Sequence, residues 1–130
     1  MRLDHVALWT RDRAALERLR AFYAEHFGAQ PGALYESARR PGFASYFLAF
    51  PGGGRLELMT APGVADRGRG EALGYAHLAV ALGSRAAVDA MAARLAASGV
   101  PVESGPRDTG DGYYEAVVLD PDGNAVEITA

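Results

Sequence analysis

A chain of 130 residues, 49% of them hydrophobic and 22% charged, is long enough to bury one sizeable core and reads as one domain over 1–130. Its net charge of −3 carries no basic excess of the kind that tracks phosphate backbones, so nucleic acid is not an expected partner, and no apolar run approaches the roughly 20 residues of a membrane span. No cysteine offers thiolate chemistry, every basic residue is arginine rather than lysine, and no serine stands in a G-x-S-x-G context, which leaves His and carboxylate chemistry open.

The N-terminal LDHVALW alternates with period two and reads as a strand, not a signal peptide, so a cytoplasmic location is expected. A helical pattern follows, with Asp12 as N-cap, Leu16, Leu19, Tyr23 and Phe27 on one face and Gly28 as its stop. A less regular strand near Ala33 to Glu36 then leads to a hairpin, FASYFLAF-PGGG-RLELMT, whose turn is set by Pro and Gly. Residues 61–73 carry turn and charge signals with little apolar periodicity and read as a linker.

The same series then begins again. YAHLAVAL is a strand, and Val88, Met91 and Leu95 mark a helix face between Ser84 as N-cap and the stop signals Gly99 and Pro101. A short strand near Val100 to Glu103 and the hairpin YYEAVVL-DPDGN-AVEIT complete it. A shift of 72 residues lays His5 on His77 and Arg13 on Arg85; a shift of 70 lays Gly42 on Gly112, Pro51 on Pro121, Gly53 on Gly123 and Glu57 on Glu127. The expected fold is therefore α+β, built from two βαβββ modules over 1–60 and 74–130.

Strand parity isolates four residues. Glu57 lies across its strand from Leu56 and Leu58, Glu127 from Val126 and Ile128, His5 from Val6 and Leu8, and His77 from Leu78 and Val80. All four should share the sheet face turned away from the helices. If the sheets curl into a cup, two imidazoles and two carboxylates point inward, where unpaired charge is costly and a divalent ion (Zn, Ni, Co, Mn or Fe) would compensate them. Trp9 and Met59 share that parity and are expected to line a substrate pocket. Arg39 and Arg40 lie in a loop that could rim it and hold an anionic substrate, the Gly-rich stretch from Arg107 to Gly112 could form a lip over it, and of Tyr113 and Tyr114, which follow as further substrate-binding candidates, one should face the cup. His26, near the end of the first helix, is explained by the helix dipole.

DHVALWT, FLAFPGGGRLELM, GYAHLAVAL and PRDTGDGYYEAVVLDPDGNAVEIT together resemble the vicinal oxygen chelate superfamily, which includes glyoxalase I, fosfomycin-resistance proteins, methylmalonyl-CoA epimerase, extradiol dioxygenases and bleomycin-binding proteins. The order His, Glu, His, Glu is most similar to bacterial glyoxalase I. That resemblance implies a metal-dependent isomerase or lyase acting on a 2-oxoaldehyde–thiol adduct through an enediolate, with Glu127 as base, Glu57 as its partner and His5 and His77 as anchoring ligands. It implies a homodimer as well. Two alternatives come with the same resemblance: a metal-dependent thiol transferase or extradiol dioxygenase using three of the ligands, and a metal-free drug-binding protein of bleomycin-resistance type. Where glyoxalase I members usually place an Arg and an Asn against glutathione, this chain has Trp9 and Ala61, which leaves the thiol open.

Overall fold

The computed structural model describes residues 1–66, 68 and 73–130, and the chain divides into two compact units, Met1–Gly68 and Arg69–Ala130. Part of the expected linker, residues 67 and 69–72, lies outside the described residues.

In the first unit the elements run β1 (His5–Thr10), α1 (Arg13–Phe27), β2 (Gln30–Pro31), β3 (Tyr35–Glu36), β4 (Ala44–Ala49) and β5 (Arg55–Thr60). They form one mixed sheet in the order β1-β5-β4-β2, with β3 also on β4; β1 runs parallel to β5 and the other pairs are antiparallel. The parallel pair requires a crossover, which α1 supplies. Asp12 starts that helix by accepting the Ala15 N–H at 2.8 Å, and Gly28 ends it in the left-handed region at φ 66°, a conformation an L side chain rarely adopts. α1 packs on β4 and β5, burying Leu16 and Leu19 against Leu48, Leu56 and Leu58. Covering a leucine in this way stabilises the fold by about 1.5–3 kcal/mol per side chain.

Two sequence expectations shift here. The irregular strand contracts to β3, with β2 a separate short pairing before it. On α1, Phe22 takes the buried place expected of Phe27, which is only half-buried and meets Phe22 and Tyr23 at ring-centroid distances of 5.7 Å each.

The second unit repeats the plan: β6 (His77–Ala81), α2 (Arg85–Ala97), β7 (Val102–Asp108), β8 (Tyr114–Leu119) and β9 (Ala125–Thr129), in the sheet order β6-β9-β8-β7 with β6 parallel to β9. Ser84 caps α2 by accepting the Ala87 N–H at 3.2 Å, and Val88, Met91, Ala92 and Leu95 form its buried face. The β8–β9 turn is built on Asp120, whose carboxylate accepts the backbone N–H groups of Asp122 and Asn124, both at 2.9 Å. The second unit is thus the expected βαβββ module and the first is the same module with one extra two-residue strand, and among the described residues no helix is long and apolar enough to cross a membrane.

β7 is longer than its expected counterpart and pairs irregularly with β8, with register shifts between Val102 and Ser104 and between Ser104 and Arg107. The second bulge contains Gly105, at φ 80°, where an added Cβ would stand 2.5 Å from the Glu115 carbonyl oxygen and 2.9 Å from the Ala116 Cα. Gly105→Ala is therefore expected to destabilise the protein by about 2 kcal/mol or more. Gly52→Ala, where a Cβ meets nothing within 4 Å, should change stability by less than about 0.5 kcal/mol. Urea denaturation of the two variants checks the contrast.

Candidate metal-binding half-sites

The parallel strand pair sets the same diagonal in both units. In the first, His5 stands beside Arg55 and Ala7 beside Glu57; in the second, His77 stands beside Ala125 and Ala79 beside Glu127. Residues two apart on one strand share a face, so each His reaches diagonally to the Glu on the neighbouring strand. The His5 Nε2 lies 3.7 Å from Glu57 Oε2, and the His77 Nε2 lies 3.5 Å from Glu127 Oε2. Both carboxylates are sheltered, with side chains 16% and 14% exposed, while the imidazoles are more open. Leu56, Leu58, Val126 and Ile128 occupy the opposite, buried face, as parity requires.

Around His5, Asp4 Oδ2 contacts Nδ1 at 2.9 Å and is itself gripped by the Arg55 guanidinium. Hydrogen bonds from His5 and then Arg55 hold the Asp4 carboxyl below its ordinary range, so it is ionised and can only accept. Phe47 meets the His5 ring edge-on at 5.1 Å and carries Arg55 over its face at 4.7 Å.

Around Glu127 the neighbours are different. Glu115, almost buried on β8, pairs with Thr129, one step diagonal to Glu127 on the same face, and is bound by Arg107 at 3.1 Å. Burial first, and the adjacent Glu115 charge second, raise the Glu127 carboxyl above its usual value. Sequence reading missed Glu115, although its parity with Glu127 across the hairpin was a usable signal.

Of the other expected residues, Trp9 and Met59 are register partners on the face that carries His5 and Glu57. Arg40, not Arg39, is the loop arginine that engages this face, lying over the rings of Trp9 at 5.4 Å and Phe43 at 5.5 Å. Arg39 is exposed, its backbone N–H turned to Ser37. Arg107 reaches the Glu127 side through Glu115, and Tyr113 stands exposed just before β8. Tyr114 departs from the expectation of a pocket residue: it takes the parity of Ala116, donates its hydroxyl to Asp89 on α2 at 2.6 Å and lies under Arg85. It belongs to the helix-covered face.

The model of the glyoxalase/bleomycin resistance protein/dioxygenase superfamily matches residues 2–128. The chain belongs to that superfamily. A glyoxalase/bleomycin resistance protein/dioxygenase domain from Frankia sp. EAN1pec superposes with TM-score 0.82 at 21% identity, covering 99% of this chain and 96% of that one. The trypanothione-dependent glyoxalase I of Leishmania major gives 0.76 at 25% identity, covering 99% and 86%. Lactoylglutathione lyase from Agrobacterium tumefaciens gives 0.70 at 25%, covering 98% and 92%. No curated protein sequence matches the chain.

Members of this superfamily commonly bind a divalent metal, and the donors here suit one. Ligands about 2.0–2.2 Å from a zinc ion in tetrahedral array stand about 3.4 Å apart, close to the separation within each His–Glu pair. Among the described residues no group of three or more His, Asp or Glu side chains is gathered to hold an ion.

A charge held at a cost should show in stability. Glu127 binds its proton more tightly folded than unfolded, so metal-free stability falls as pH rises from the usual carboxyl value of 4.5 and stays lowered above that window. Glu127→Gln is expected to raise the melting temperature of the metal-free protein at neutral pH, with the gain vanishing below pH 4.5. Melting curves across pH in the presence of a chelator measure this.

Proposed function

We propose that this superfamily member is a metal-dependent isomerase or lyase of glyoxalase type, similar to lactoylglutathione lyase, acting on a small 2-oxoaldehyde–thiol adduct. His5, Glu57, His77 and Glu127 would together hold one divalent ion, nickel or zinc, in a homodimeric protein. The observation that carries this reading is the repetition of one His–Glu diagonal at equivalent register in both modules, with nearly equal nitrogen–oxygen separations. The likeness to a glyoxalase I and a lactoylglutathione lyase at 25% identity supports it.

When bound, the ion would supply Lewis-acid stabilisation of negative charge developing on the substrate oxygens. The chain's own residues do the rest. His5 and His77 would offer nitrogen lone pairs, and Glu57 would contribute an oxygen donor. Glu127 takes the proton from one substrate carbon and returns it to the next, its proton affinity increased by burial and by Glu115. Trp9 and Met59 give the body of the substrate an apolar floor, and Arg40, stacked on Trp9, offers a cation to an acidic group.

Elemental analysis after purification without added metal, followed by reloading and assay with methylglyoxal and several thiols, tests the proposal. Stoichiometric metal is expected, with thermal stabilisation of about 4 kcal/mol when free metal reaches 1,000 times its dissociation constant. Glu127→Gln should lower turnover by about 10²–10⁴-fold. Turnover with another thiol but not glutathione would keep the chemistry and change the substrate. No bound metal and no thermal shift with nickel or zinc would instead favour a metal-free binding protein.

A further inference from the structure

The two half-sites are alike in their His–Glu diagonal and differ in the residues set around the histidine. Asp4 approaches His5 from the Nδ1 side, Arg55 holds Asp4, and Phe47 braces the ring edge-on while supporting Arg55. At the equivalent positions of the second module stand Ala76, Ala125 and Val117. None of those side chains can accept a hydrogen bond from an imidazole.

A carboxylate can only accept, so its contact with Nδ1 requires the proton to sit on that nitrogen. In a neutral imidazole the other nitrogen then carries the lone pair. That nitrogen, Nε2, faces Glu57 Oε2 at 3.7 Å, an acceptor set against an acceptor. For the neutral ring such an arrangement is favourable only with a cation between them, a metal ion or the second proton of an imidazolium, and an Nε2–H tautomer would have relieved it by donating to Glu57 instead.

We infer that Asp4, clamped by Arg55, is a positioning residue that locks His5 in the Nδ1–H tautomer and so presents its Nε2 lone pair beside Glu57, leaving the first half-site arranged for a metal ion before one arrives and the second not. The inference rests on the metal-binding reading above for its purpose, and on the Asp4–His5–Arg55 geometry for its substance. Carboxylates placed behind ligating histidines in this manner typically alter metal affinity by about 10–100-fold when removed.

Nitrogen-15 NMR of the imidazoles in the metal-free protein, at about pH 8 where an ordinary imidazole is neutral, tests it directly. The expected spectrum shows His5 protonated at Nδ1 alone, and His77 carrying a larger Nε2–H population. Asp4→Ala should move His5 to the Nε2–H form, leave the backbone amide spectrum of β5 in place, and weaken zinc binding by about 10-fold or more. Arg55→Leu, which leaves Asp4 unclamped, should move the His5 tautomer in the same direction by a smaller amount. A wild-type His5 protonated at Nε2, or an Asp4→Ala protein with an unchanged His5 spectrum or unchanged zinc affinity, would overturn the inference. A wild type with the Nδ1–H tautomer that takes up no zinc refutes the metal-binding function while sustaining the Asp4–His5 link.

Discussion

Parallel pairing between the first and last strands of each module is the constraint on which the rest depends. In β1/β5 and β6/β9 the register sets a histidine at the start of the outer strand diagonal to a glutamate on its neighbour, on the face opposite the helix. A slip of one residue would reverse every side chain, burying Glu57 or Glu127 in the helix-packed core and exposing Leu56, Leu58, Val126 or Ile128. The hydrophobic face therefore secures the polar one: the energy that seats leucine, valine and isoleucine against α1 and α2 also holds the imidazole–carboxylate pairs where they are.

Duplication copies this frame but not its surroundings. In the first module the aromatic and ionic neighbours converge on the histidine, through Asp4, Arg55 and Phe47. In the second they converge on the glutamate, through Glu115 and Arg107. A like-charged neighbour makes a carboxylate a better proton acceptor and a less comfortable anion, whereas an acceptor behind an imidazole makes it a better-oriented lone-pair donor. On the proposed function, these two copies of one geometry would serve two tasks, anchoring at His5 and proton transfer at Glu127.

The aromatic surroundings carry a further asymmetry. Trp9, Phe43 and Arg40 form an open aromatic and cationic surface on the first unit. The Arg40 guanidinium is held over both rings, where their quadrupoles attract its charge. That arrangement differs from the Arg and Asn pattern usual for glutathione contact, and Trp9 stands where such an Arg would be.

Much of this was legible in the chain because it is local. Asp12 and Ser84 as caps, Gly28 as a stop, the Pro- and Gly-set hairpins, and the opposition of Glu57 and Glu127 to their apolar neighbours all follow from periodicity and from hydrogen bonds a few residues long. The two-module architecture followed from His5, Glu57, His77 and Glu127 recurring at matching places. What the chain alone did not reveal depends on which strands meet and in what register. Glu115 joins Glu127 only through the β8–β9 pairing, Arg107 reaches Glu115 only because a bulge at Gly105 re-aims it, and Tyr114 turns to α2 because it shares the parity of Ala116. Arg40 rather than Arg39 meets Trp9 for the same kind of reason, since the path of a loop decides between adjacent arginines. Strand alternation assigns a residue to a face, but contacts across strands are long-range, and only the folded sheet brings them within a few ångströms.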